Sequence, residues 1–172
     1  PSTGEKIKYR PFLVKEQKIL MMAQEGGSEN EIMNAMTSLV SDCTFGVVDA
    51  TNSPMFDVEF IFLRIRVKSI GEKIELNLTC EDDGETQVPY ELNLEEVGVN
   101  MTEDHTTEID IGNDVKIHFR YPYLKDMMGI PETINETEKS FYVLNSCINS
   151  IHYGDDVYNK VDLSDKDIND FV

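Results

Sequence analysis

Positive charge is what this sequence has least of for its size. Its 15 Lys and Arg stand against 33 Asp and Glu, a formal net charge of -18 over 172 residues. Such a surface repels nucleic acid phosphates and anionic lipid, so neither nucleic acid nor membrane is an expected partner. Long apolar runs are missing too; none approaches the roughly 18 residues a membrane span needs. The opening residues PSTGEKIKYRPF hold no apolar stretch of the secretory kind, and an intracellular product is expected. Cysteine is sparse: Cys43, Cys80 and Cys147 are odd in number and far apart, which excludes a disulfide framework and leaves reduced thiols as the expectation. No internal repeat or low-complexity linker is visible.

The familiar signatures of chemistry are also absent. There is no Gly-rich phosphate loop and no nucleophile elbow. A zinc knuckle needs two soft ligands about two residues apart, but Cys80 is followed by Glu81, Asp82, Asp83 and Gly84 with no second thiol. The same acidic turn lacks the alternating oxygen ligands and distal glutamate of a calcium loop, and Asp83 with Gly84 is expected to supply the positive backbone angles of a tight hairpin. His105 falls in a polar loop, His118 on a strand facing away from Ile117 and Phe119, and His152 near a helix end; none has an evident orienting partner. No cofactor, metal or catalytic residue is expected.

What remains is a patterned α+β chain, with N-terminal helices, central antiparallel β-hairpins and C-terminal helices. The expected segments are 1–71, 72–123 and 124–172, joined in one compact domain. A short extended piece precedes Pro11, and a helix carrying Val14, Ile19, Leu20, Met21 and Met22 ends before Gly26 and Gly27. Ser28 with Glu31 reads as a capping box for a second helix, whose stripe runs through Ile32, Met36, Leu39, Val40 and Cys43. Ser53 as N-cap, Pro54 at the first helical position, Asp57 in the first turn and the stop at Gly71 frame a third helix, although VEFIFLRIRV is rich in strand formers.

After Gly71 the period becomes two. Ile74, Leu76, Leu78 and Cys80, then Val88, Tyr90 and Leu92, are expected on the buried face of a hairpin. A second hairpin turns at Gly112 and Asn113. From Asn135 helical spacing returns through Phe141, Leu144, Cys147, Ile148 and Ile151, with Gly154 as the stop, and Ser164 is an N-cap candidate for a last helix bearing Ile168, Phe171 and Val172.

Against this acidic background two cationic trios alternate: Lys6, Lys8 and Arg10, and Arg64, Arg66 and Lys68. On a strand each trio would share one face; on a helix the second would spread over about 200 degrees. Pairing with the chain's own carboxylates and a docking stripe for a partner are both compatible with the pattern. Eight methionines serve as core filling or as an adaptable contact surface.

The segments KIKYRPFLVKEQKILMMA, FDVEFIFLRIRVKSIGEKIELNLTC and IHFRYPYL resemble, in order and spacing, the baseplate hub assembly proteins of T4-like contractile-tailed phages. The resemblance implies a non-enzymatic morphogenesis protein that assembles or joins the central hub through contacts with other baseplate hub or tail proteins. It implies action in the host cytoplasm during assembly, leaves residence in the virion tail and self-association open, and maps protein-contact positions onto Arg10, Pro11, Phe12, Glu16, Phe62, Arg64, Arg66, Tyr121 and Pro122. Some relatives in the family it resembles carry a further cysteine near the hairpin turn, where this chain has none. A small metal-dependent enzyme and a generic acidic protein-binding adaptor are the competing readings.

Overall fold

The computed structural model describes residues 1–163 except 103 and 132, and divides the chain into two compact units, Pro1–Asn100 and Met101 onward. The helix expected after Ser164 lies outside the described residues.

In the first unit, α1 (Val14–Gly26), α2 (Glu29–Cys43) and α3 (Met55–Ile70) precede a hairpin of β1 (Lys73–Thr79) and β2 (Gln87–Asn93). The predicted apolar stripe of α2 holds: Leu39, Val40 and Cys43 are buried, with Val58 and Ile65 of α3 fully enclosed. Ser28 does start α2, but its hydroxyl makes no capping bond. The strand-forming run 58–67 is helical after all. Pro54 is the N-cap instead of the first helical residue, while the Ser53 hydroxyl donates to the Asp49 carbonyl at 2.6 Å.

The hairpin pairs Ile74 with Leu92, Leu76 with Tyr90 and Leu78 with Val88, as alternation requires. Its apolar face is nevertheless not buried. Leu76 is 38% exposed and Leu78, Val88 and Tyr90 are 48–49% exposed. The three helices close their own core, and alternation fixes which side chains share a face without fixing what covers it. At the turn, Gly84 alone has a positive φ (68°). Asp83 instead accepts from the Glu85 and Thr86 N–H groups at 3.0 and 2.9 Å, an Asx-type turn.

The second unit is built on an antiparallel meander, β3 (Glu108–Gly112), β4 (Val115–Phe119), β5 (Ile148–Tyr153) and β6 (Asp156–Asn159), with α4 (Leu124–Met128) and α5 (Glu136–Cys147) inserted between β4 and β5. Asn113 and Asp114, both at positive φ (53° and 59°), form the two-residue β3–β4 turn whose backbone matches strand twist. Asn135 caps α5: its side chain accepts from the Glu138 N–H at 3.0 Å while Glu138 accepts from the Asn135 N–H at 2.9 Å.

α5 stops at Cys147, seven residues short of the expected Gly154. Residues 148–153 form the strand β5 beside β4, and Gly154 (φ 59°) begins the turn into β6. The misreading has a physical source. A register shift opposite His118 and Phe119 lets both Ile148 and Ile151 face the core, so three-residue spacing on a bulged strand imitates a helical stripe. Val115, Ile117, Ile148 and Ile151 form that core, flanked by Phe119 and Leu163.

Ile151→Ala, at the centre of this cluster, is expected to destabilise the second unit by about 3 kcal/mol in urea denaturation, whereas Leu78→Ala on the open hairpin face is expected to lose no more than about 1 kcal/mol.

Candidate functional site

Two ion pairs with largely buried carboxylates are made by arginines that stand a few residues before a helix. Arg10 sits where the extended N-terminal segment meets α1. Its guanidinium donates Nη2 to Glu16 Oε1 at 2.7 Å and Nη1 to Glu16 Oε2 at 3.0 Å, and Nη1 also reaches the Pro11 carbonyl at 3.0 Å. Glu16, only 4% exposed, turns back to accept the Leu13 N–H at 2.5 Å, so one carboxylate both caps α1 and anchors the arginine. The Arg10 N–H donates to the carbonyl of Cys43, the last residue of α2, at 3.0 Å.

The second unit repeats this arrangement. Arg120 donates Nη1 to Asp126 Oδ2 at 2.6 Å, Nη2 to Asp126 Oδ1 at 3.0 Å and Nη1 to the Tyr121 carbonyl at 3.0 Å. Asp126 accepts the Tyr123 N–H at 2.7 Å at the start of α4. The Arg120 N–H donates to the carbonyl of Cys147, the last residue of α5, at 2.8 Å. A further bond from Nη2 to the Ser146 carbonyl, 2.8 Å, and the Tyr123 ring 4.2 Å away complete the clamp.

Behind the common geometry is a sequence repeat that inspection of the chain had missed. Residues 6–16, KIKYRPFLVKE, align without gaps on 116–126, KIHFRYPYLKD; four of the eleven are identical and Tyr/Phe, Val/Leu and Glu/Asp are conservative. It is short, and the helices that follow differ in length, 13 against 5 residues. Only the shared bonding pattern makes it stand out.

Electrostatically both clamps are locked. The hydrogen bonds from Arg10 hold the Glu16 carboxyl down at about 2, well below the usual range, and Glu16 in turn raises Arg10. Burial pushes Asp126 upward, but the bonds from Arg120 and the Tyr123 N–H outweigh it and its pKa is lowered. These carboxylates stay ionised near neutral pH, the wrong state for a proton donor. Burial raises the thiols of Cys43 and Cys147, opposite to the shift that activates a nucleophile.

Phe12 is buried and its N–H donates to Ser69 Oγ at 3.0 Å. Pro11 is exposed; Phe62, Tyr121 and Pro122 are half-buried, with the Tyr121 ring stacked 5.4 Å from His105. Arg64 lies over the Phe60 ring and donates to the Glu95 and Val97 carbonyls at 3.0 and 2.8 Å, pinning the loop after β2. Arg66 reaches the Gly71 carbonyl at 3.4 Å, and Lys68 sits 5.2 Å from the Tyr9 ring centre. The two arginines thus bond to main-chain carbonyls, not to the surplus carboxylates.

His152 is on β5 instead of a helix end. Its ring lies 4.1 Å from that of His118, which contacts Glu108 at 3.2 Å, and Ser150 Oγ is 3.1 Å from His152 Nε2. Cys80 is a free, partly exposed thiol whose N–H donates to the Thr86 carbonyl at 2.8 Å. Among the described residues no group of three or more His, Cys, Asp and Glu could hold a metal ion, and no helix is long and apolar enough to cross a membrane.

The chain is thus a mixed α+β protein whose two arginine–carboxylate clamps are spent on its own segments and helix starts. The chain is a member of the T4 bacteriophage base plate protein family, whose model matches residues 1–172. It is similar to the baseplate hub assembly protein gp26 of Enterobacteria phage T4, 28% identical over 167 residues that cover 95% of this chain and 69% of the relative. No solved structure matches it.

Because both clamp carboxylates titrate below their unfolded values, about 4.3 for Glu and 3.9 for Asp, their contribution to stability is fully present above those values and is lost as pH falls through the lowered folded values, about 2 for Glu16. Glu16→Gln is expected to destabilise the first unit by about 3 kcal/mol at pH 7 and to flatten the acid limb of its stability–pH curve, as read by urea unfolding from pH 7 to 2.

Proposed function

We propose that this protein acts without catalysis in building the central hub of a contractile phage tail, by binding other hub or tail proteins in the host cytoplasm. The observation that carries the reading is the family match over the whole chain, together with the similarity to a hub assembly protein. The locked carboxylates and raised thiols support a non-enzymatic role. The charge of -18 favours basic protein surfaces over nucleic acid as partners.

Within this reading the nine contact positions divide by what they already do. Arg10, Phe12, Glu16, Arg64 and Arg66 shape the surface by holding segments in place, and Pro11, Phe62, Tyr121 and Pro122 offer the part a partner touches. Action as an assembly chaperone and incorporation into the finished tail are distinguished by whether the protein persists in virions.

Co-expression with each hub protein of the same phage, followed by size-exclusion chromatography, is expected to give co-elution with at least one of them. Elution of the chain alone in every combination overturns the proposal. Mass spectrometry of purified virions then reports whether the bound protein stays.

A further inference from the structure

Two faces of the first unit are left without cover, and they carry opposite charge. One is the hairpin. Strands β1 and β2 pair only with each other, and the apolar row of Leu76, Leu78, Val88 and Tyr90 lies open. A two-stranded ribbon with nothing on its apolar face is marginal in water. Residues 72–96 hold nine Asp and Glu against the single Lys73, so carboxylates rim the open row. Glu72 stands at its root and Glu81, Asp82 and Glu85 at its tip, all exposed.

The other is the outer side of α1. Glu16 and Ala23 face inward, which at about 100 degrees per residue leaves Val14, Lys15, Lys18, Ile19, Met21 and Met22 on the outer side and its flank. Val14 is 82% exposed, and Ile19, Met21 and Met22 are 53–60% exposed. Two of the eight methionines thus sit at the surface, where an unbranched, polarizable side chain adapts to what it meets. This is also the basic part of an acidic chain: residues 1–24 hold Lys6, Lys8, Arg10, Lys15 and Lys18 against Glu5 and Glu16. Arg10 and Glu16 neutralise each other in their clamp, while Lys15 and Lys18 form no salt bridge among the described residues.

We infer that the hairpin of one copy docks on the α1 face of a second copy. The chemistry matches: apolar row meets apolar row, and the lysine heads reach the carboxylate rim over their own apolar stems. The lengths match as well. From Ile74 to Leu78 the strand runs about 13 Å at about 3.3 Å per residue, and from Val14 to Met22 the helix runs about 12 Å at about 1.5 Å per residue. A hairpin-to-hairpin contact is opposed by charge, since it sets one carboxylate rim against another. Repulsion between whole copies of net charge -18 is screened beyond about 8 Å at physiological salt, so the local pairing decides. Each copy offers one patch of each kind, so the contact is made by the chain alone and goes beyond the role proposed in hub assembly.

Sedimentation velocity of the purified chain over a concentration series at physiological salt tests this, and the average mass is expected to rise above that of one chain. Lys15→Glu with Lys18→Glu makes both patches acidic, and Glu72→Lys with Glu81→Lys and Glu85→Lys reverses the rim of the hairpin. Each variant alone is expected to weaken association by about tenfold or more. An equimolar mixture of the two is expected to restore it, because the reversed rim then meets the reversed helix. If either variant loses the native circular dichroism spectrum, Lys15→Gln with Lys18→Gln or Glu81→Gln with Glu85→Gln takes its place and is expected to weaken association with no recovery on mixing. A wild-type chain that stays monomeric at every concentration, association that neither variant weakens, or a charge-reversed mixture that associates no better than its parts overturns the assignment.

Discussion

A carboxylate placed three residues into a helix and gripped end-on by an arginine six residues earlier is the contact on which both units depend. It joins three things that sequence separates: an extended segment, the first turn of one helix and the last residue of another. The energetic reason is that a nearly enclosed carboxylate needs all its lone pairs met. Glu16 obtains this from Arg10 and the Leu13 amide, and Asp126 from Arg120 and the Tyr123 amide. Once those bonds are made, the arginine has little freedom left, and its own backbone amide is aimed at the cysteine carbonyl that ends the neighbouring helix.

Much of the fold was legible because its punctuation is local. Gly27, Gly71, Asn135 and the alternation on either side of residues 80–86 fix elements within a few residues of the observed ends. The failures came where two periods coincide or where burial is not a local property. Ile148 and Ile151 satisfy a helical stripe and a bulged strand equally, and the competing partner that decides the matter, β4, lies about thirty residues away. Likewise the hairpin side chains alternate correctly but are left about half open, because periodicity carries no information on what packs against a face.

The candidate site was legible in part. Arg10 and Glu16 stood out through family resemblance, while Arg120 and Asp126, their structural equivalents, did not. Pro122 sits one residue later than Pro11 in the aligned segments, which obscures the repeat to the eye. The roles of Arg64 and Arg66 were equally hidden. Main-chain carbonyls have no letter in the sequence, so an arginine that binds them looks like one waiting for an acidic partner.

Each clamp also closes over a short contour: Arg10 to Cys43 in one unit, Arg120 to Cys147 in the other. Loops of this length form quickly, and synthesis delivers the amino end first. The earlier of the two can therefore close while the later is still being translated, so that a nascent chain emerging from the ribosome already carries a helical module held at both ends.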